Sequence, residues 1–154
     1  MLILNNKYMY NNEAMGITAI VAVMKHSKEL NITKALLILP FVFHPATTAS
    51  LSRANTKLRS VEEFVTKYPG LFSNFPDRYE SLLPVTINSL VAAIEANIFR
   101  IDGNALLPAI NFSNFIDIKH SSKRASQIEK AAENLALLLE DKSKNLYLHL
   151  RIKL

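Results

Sequence analysis

The chain has 154 residues, 49% of them hydrophobic, and a formal net charge of +5. This length and composition predict one folded domain over residues 1–154 and exclude a wholly disordered chain. The absence of cysteine excludes disulfides and thiolate metal sites. No segment has the pattern of a signal peptide or the length of a membrane span, so we expect a cytoplasmic protein with no membrane contact.

The basic excess is confined to the first part of the chain. Residues 1–60 hold seven basic and two acidic side chains, whereas residues 61–154 hold eleven of each. Arg53, Lys57 and Arg59 form a candidate patch for nucleic acid or for an acidic partner protein. The alternative is a solvated face with no partner.

A buried helix is predicted at residues 35–43, where no side chain is polar. The run is too short to cross a bilayer and too apolar to face water, so it belongs in a core. We expect Thr33 to cap this helix and Pro40 to bend it, because proline removes a backbone donor. His44 should close it, since the residue before a proline disfavours the helical region.

Helices are predicted on both sides of this core segment. Apolar spacing and capping residues indicate helices from residue 12 to 28, 61 to 68, 84 to 96 and 122 to 141. A further helical stretch, with Phe72, Phe75 and Tyr79 on one face, should end near residue 83. The helix over residues 84–96 should start at Pro84 and bury Ile87, Leu90, Val91 and Ile94. Residues 47–55 read as a loop or a short helical turn, and residues 109–122 as irregular.

The one clear β signal follows the helix over residues 84–96. Residues 98–101 and 105–108 flank Asp102, Gly103 and Asn104, which is typical of a hairpin with a tight turn. A helix followed directly by a small hairpin is the order of a winged-helix core. We therefore predict a mainly α fold with a small β-hairpin, as a single winged-helix-like domain. Residues 144–154 could form a short helix or an edge strand.

The patterns that usually carry catalysis are absent. There is no phosphate-binding loop and no nucleophile elbow, and the four histidines have no metal-ligand spacing. His44 fits a helix cap or a satisfied core group better than a catalyst, and the spacing of Asp117 and His120 is explained by chance. We expect no enzyme activity, no cofactor and no metal.

Sequence-specific DNA binding also lacks support. In a winged helix, the helix before the hairpin reads the DNA and needs basic side chains for phosphates and guanine. Residues 84–97 contain no Lys or Arg, and their only charge is Glu95. We expect DNA contact to be non-specific at most, and this helix to pack against protein.

Four segments together carry a family resemblance: residues 37–44, 82–86, 98–101 and 136–152. In this order and spacing, the chain resembles the middle component of bacterial three-component ABC systems, which include the Lamassu type of anti-phage and anti-plasmid defence. Two places depart from the pattern. Pro45 stands where a basic residue is common, and His149 or Leu150 stands where a glycine is common.

The resemblance implies a small, non-enzymatic subunit. It would lie between an ABC ATPase of the structural-maintenance-of-chromosomes (SMC) type and an effector, often a nuclease. The alternative function is a winged-helix, DNA-binding transcriptional regulator.

A bridging subunit needs apolar side chains beyond those that pack its own core. Six such side chains crowd into residues 146–154, more than one face of so short a segment can bury. We predict a partner-binding surface here, with Tyr147 as its first anchor, Arg151 beside it, and Leu148 and Ile152 contributing.

Overall fold

Eight helices and three short strands make up the described part of the chain. The computed structural model describes the backbone of residues 2–53, 58–116 and 122–153, and the side chains of residues 12–53, 58–115 and 122–153. In chain order the elements are α1 (Leu2–Met24), β1 (Leu30–Asn31), α2 (Ile32–Val42), α3 (Pro45–Leu51), α4 (Val61–Lys67), a 3₁₀ turn (Pro69–Leu71), α5 (Phe75–Glu95), β2 (Phe99–Asp102), β3 (Ala105–Pro108), α6 (Phe112–Ile116), α7 (Lys123–Leu138) and α8 (Ser143–His149).

The prediction of a mainly α fold with a small hairpin is confirmed. Strands β2 and β3 are antiparallel, and Gly103 in their two-residue turn has a φ of 61°, which a side chain would disfavour. The sequence did not indicate β1, which joins the other edge of β3 and gives the strand order β1-β3-β2. The winged-helix comparison stays a prediction.

Helix α2 is buried as predicted, but its N-cap residue is not the predicted one. Asn31 accepts a hydrogen bond from the Thr33 N–H at 2.9 Å, so the N-cap is Asn31 and the prediction of Thr33 is wrong. The helix continues through Pro40 to Val42, and α3 then departs at 104° with Pro45 in its first turn. Of the two alternatives predicted for residues 47–55, a loop or a short helical turn, the helical one is confirmed up to Leu51, and residues 54–57 lie outside the described residues.

Side chains from elsewhere satisfy carbonyl groups at the end of α2. The Thr48 hydroxyl donates to the Val42 carbonyl at 2.8 Å, and the Arg78 Nε donates to the Pro40 carbonyl at 3.3 Å. A cation at a helix C-terminus is favourable because the helix dipole is negative there. Arg78 thus attaches α5 to the C-terminal end of the buried helix.

Helix α5 is one continuous element, so the predicted division at Pro84 is wrong. Pro84 lies inside the helix and cannot donate to the Glu80 carbonyl. Both residues are exposed, and water can therefore hydrate the carbonyl that proline leaves without a donor. The cost of an internal proline is lowest at such a position.

The buried side of α5 is made of small residues. Thr86, Ser89 and Ala93 are fully buried, and the Thr86 and Ser89 hydroxyls donate to carbonyls one turn earlier in the same helix. Ser89 faces Gly16 of α1 so closely that a Cβ on Gly16 would lie 2.2 Å from the Ser89 Oγ. Small residues on both helices allow this close approach.

The larger residues of α5 divide between core and surface. Leu90 is buried as predicted, whereas Ile87 and Val91 are 47% and 48% exposed, so their predicted burial is wrong. The apolar arc of the helix is wider than the arc that contacts α1 and α2. The apolar residues outside the contacting arc, Ile87 and Val91, therefore lie at the surface.

Helices α1 and α7 pack together and close the other side of the core. The side chain of Ser122 accepts from the Ala125 N–H at 3.0 Å, as the predicted cap requires. Helix α1 begins before residue 12 and ends at Met24 rather than residue 28, and α6 interrupts the segment predicted to be irregular. The apolar residues on the inner side of α7 and at its C-cap are all buried: Ile128, Ala131, Ala132, Leu135, Leu138 and Leu139.

Candidate partner-binding surface

The C-terminal segment folds as helix α8, which decides between the two predicted alternatives. Asp141 accepts hydrogen bonds from the Lys142 N–H at 2.7 Å and from the Asn145 amide at 3.1 Å, and so stabilises the first turn. After the helix, Arg151 adopts a φ of 59°, which turns the chain sharply. The exposed side chains of the segment are therefore presented from a short helix and the turn that ends it.

Tyr147 belongs to the interior of the protein. Its ring is 3% exposed and packs edge-on to Tyr79, with 5.9 Å between the ring centroids. Its hydroxyl donates to the Thr33 carbonyl at 2.6 Å, and burial raises the pKa of the phenol above its ordinary value. The predicted anchoring role of Tyr147 does not fit this position, because the side chain is already used to attach α8 to α2.

The other predicted partner-binding residues remain at the surface. Leu148 is 69% exposed, Arg151 is exposed and Ile152 is half-buried. A groove of about 390 Å³ lies beside them and is mostly apolar. Its lining, which we call the α8 groove, consists of Thr33, Ser143, Lys144, Tyr147, Leu148 and Ile152.

The surroundings of the α8 groove are basic. Residues 142–153 contain Lys142, Lys144, Arg151 and Lys153, all exposed, and no acidic residue. Asp141, immediately before them, is the nearest carboxylate in the sequence, and hydrogen bonds from Asn145 and Lys142 lower its pKa. From another element, the carboxylate of Glu62 in α4 lies 3.8 Å from His149 Nε2, so the basic residues outnumber the acidic ones here without excluding them. An exposed leucine within a basic surface suits a protein partner with apolar and acidic side chains.

The predicted basic patch lies elsewhere, before helix α4. Arg53 and Arg59 are both exposed, and the Arg59 N–H donates to Glu63 at 3.1 Å. Lys57 lies outside the described residues. Binding of nucleic acid or of an acidic protein by this patch stays a prediction.

No catalytic arrangement is evident among the described side chains. His44 is the N-cap residue of α3 and its Nδ1 lies 2.7 Å from the Thr47 hydroxyl, a position that fits the structural role predicted for it. Within the described ranges, no three His, Asp or Glu side chains are placed to hold a metal ion. Asp117 and His120 lie outside those ranges.

No single helix in the described part of the chain is long and apolar enough to cross a membrane. Helices α2 and α3 would satisfy length and composition together, but the chain bends by 104° between them.

Sequence reasoning missed the exposed side of α5. The spacing of Thr86, Ser89 and Ala93 could have indicated it, because small residues at i, i+3 and i+7 allow another helix to approach closely. If the small residues form the buried side of α5, Ile87 and Val91 lie outside the core.

Comparison with known proteins identifies a family for this chain. A family model described as "ABC-three component (ABC-3C) system Middle Component 3" matches residues 15–154. No curated protein and no solved structure matches the chain.

Proposed function

Since this chain belongs to the Middle Component 3 family of ABC-three component systems, we propose that it is the accessory subunit that joins an ABC ATPase to an effector. The ATPase is of the SMC type and the effector is a nuclease. The complex acts in the cytoplasm in Lamassu-type defence against phages and plasmids. In this role the chain binds proteins and catalyses no reaction.

The observation that carries this proposal is the exposed Leu148 beside the α8 groove. A single exposed leucine is ordinary on a protein surface, but Leu148, which is 69% exposed, also lines an apolar groove and supplies binding free energy when a partner covers both. Arg151 lies three residues away and can form polar contacts at the rim of the interface. The α8 groove is thus a compact apolar site with charged surroundings, as protein interfaces commonly are.

Co-purification tests the bridging role directly. The tagged chain is expressed with the ATPase and effector of its own system, and both should be recovered with the wild type. Leu148→Gln with Arg151→Gln should lower the recovery of one partner at least tenfold. Leu137→Gln is the matched control, because Leu137 is 53% exposed on α7 and outside the groove. Full assembly by the double variant would place the interface elsewhere, and the surface around Arg53 and Arg59 would be tested next.

A challenge of living cells tests the defence role. Cells carrying the whole system should resist phage infection or lose a test plasmid, and cells without this chain should not. The Leu148→Gln, Arg151→Gln variant should behave like the deletion if assembly is what the chain supplies. Equal protection with and without the chain would contradict the proposal.

The alternative, a DNA-binding regulator, has less support. Helix α5 precedes the hairpin, as a recognition helix would, but it carries exposed Ile87 and Val91 and no Lys or Arg after Arg78. We expect the isolated protein to bind duplex DNA weakly and without sequence preference. A sequence-specific complex of nanomolar affinity at physiological salt would favour the regulator instead.

A further inference from the structure

One exposed stripe, which we call the α5 stripe, runs along the outer side of α5. Its residues are Glu80, Pro84, Ile87, Val91 and Glu95, at intervals of four, three, four and four, which places them on one side of the helix. All five are exposed. None lines the α8 groove, so the two surfaces are separate.

The stripe is apolar in the middle and acidic at both ends. Fifteen residues at 1.5 Å each place Glu80 and Glu95 about 22 Å apart along the helix axis. Ile87 and Val91 lie between them at 47% and 48% exposure, and half-buried Leu83 and Ile94 widen the apolar part. No basic residue of α5 follows Arg78, and the Arg78 side chain is bonded to the Pro40 carbonyl and to Asn74.

We propose that the outer stripe of α5 is a second docking site, which binds a protein segment with an apolar centre and basic residues towards both ends. The complementary charges determine the kind of occupant: a basic residue near each end of the bound segment can meet Glu80 and Glu95. The apolar centre of the segment covers Ile87 and Val91. Nucleic acid is disfavoured here, because its phosphates would meet two carboxylates.

This inference rests on the proposed function, in that the segment belongs to one of the two partner subunits. The α8 groove has basic surroundings and the α5 stripe has acidic ends, so the two sites select segments of opposite charge. Two sites of opposite preference on one small subunit keep the partners from exchanging places. The α5 stripe and the α8 groove together therefore determine which partner binds at which surface of the subunit.

The test uses the complete complex with its ATPase and effector. Ile87→Gln with Val91→Gln removes the apolar centre, Glu80→Lys with Glu95→Lys reverses the ends, and Leu137→Gln is the exposed-apolar control. Each α5 pair should lower the recovery of one partner at least tenfold, and that partner should differ from the one lost by the α8 variants. Because the lysine pair leaves the apolar residues intact, it still tests the site if the glutamine pair fails to fold, as judged by circular dichroism.

Cross-linking identifies the occupant. A photoreactive amino acid at Asn88, which is exposed beside Ile87, should couple to a partner segment whose apolar centre has Lys or Arg on both sides. Coupling to an acidic segment, or to a second copy of this chain, overturns the proposal. If the wild type assembles and both α5 pairs assemble equally well, this inference alone is wrong. If the wild type recovers neither partner, the proposed function fails with it.

Discussion

Helices α8 and α5 distribute apolar side chains in opposite ways. In α8 the large residues Leu146 and Tyr147 are buried, and Leu148 alone is prominently exposed. In α5 the residues at the closest helix contact are small, Thr86 and Ser89 among them, while the large apolar residues Ile87 and Val91 lie outside. The short helix α8 is attached to the rest of the protein by large buried side chains. The central helix α5 instead needs small side chains where neighbouring helices approach it closely.

The difference shows that an apolar stripe does not by itself mark the buried side of a helix. Where another backbone comes close, as α1 does at Gly16, the contact selects residues by size rather than by hydrophobicity. The inner hydroxyls remain satisfied because each donates to a carbonyl of its own helix. Apolar residues beside such a contact are then exposed and available to bind a partner protein.

The largest expected effect contrasts two neighbours in α8. Tyr147→Ala should lower the free energy of unfolding by about 3–5 kcal/mol, because it empties a buried aromatic site. Leu148→Ala should change it by no more than about 0.5 kcal/mol, because that side chain is mostly in water. Urea denaturation of both variants measures the contrast. Equal stabilities would mean that α8 is not attached through Tyr147.

The second prediction concerns the close approach of α1 and α5. Gly16→Ala should destabilise the protein by about 1–2 kcal/mol, because the overlap with Ser89 outweighs the better helix propensity of alanine. Adding Ser89→Ala removes the 2.2 Å contact and should recover part of that loss. A double-mutant cycle from thermal melts measures this coupling. A Gly16→Ala variant at least as stable as the wild type would refute the close approach.

A smaller effect is expected from the hydroxyl of Tyr147. Tyr147→Phe should cost about 1 kcal/mol at neutral pH, because the hydrogen bond from the phenol to the Thr33 carbonyl is lost. Burial raises the pKa of Tyr147, so the folded protein keeps the phenol protonated where the unfolded chain ionises it, above a pH of about 10. The stability that the buried, protonated phenol contributes is therefore fully present below that pH and is lost as the pH rises above it.

Urea denaturation at neutral pH and again above pH 10 checks this sign. The advantage of the wild type over Tyr147→Phe should shrink at the higher pH. A constant difference between the two proteins would mean that the phenol titrates alike in both states.

The smallest effect is expected on the outer side of α5. Ile87→Ala and Val91→Ala should each change the free energy of unfolding by no more than about 0.5 kcal/mol, because both are half in water and alanine favours helix. Leu90→Ala is the buried control and should cost about 2–5 kcal/mol. Losses above 1 kcal/mol at Ile87 or Val91, measured by thermal melts, would show that this side of α5 belongs to the core.

Much of the fold was predictable because local rules govern it. The hairpin follows from its turn residues, the cap of α7 from Ser122, and the buried α2 from an uninterrupted apolar run. Tyr147 was misplaced because its burial depends on Thr33, 114 residues away in the sequence. The continuity of α5 through Pro84 likewise depends on solvent reaching a carbonyl, which periodicity does not reveal.

The candidate surfaces were predictable only in part. Crowding of apolar residues after residue 145 correctly indicated that some would remain exposed, and Leu148 does. Which of them would be buried was decided by the contact with α2 and Tyr79. The spacing of Thr86, Ser89 and Ala93 carried a signal for the exposed side of α5, but the close approach of α1 at Gly16, which makes these small residues the buried ones, is not visible in the sequence.

The two-residue strand β1 has a kinetic consequence. Strands β2 and β3 are joined by a two-residue turn, so they can pair early, at little cost in loop-closure entropy. Strand β1 meets β3 through Leu30 and Leu106, and the Ile32 N–H donates to the Asn104 carbonyl at 2.8 Å. These contacts close a loop of more than seventy residues and should form late in refolding. Pulse-labelled hydrogen exchange should therefore protect the amide of Ile32 only after the amides of the hairpin.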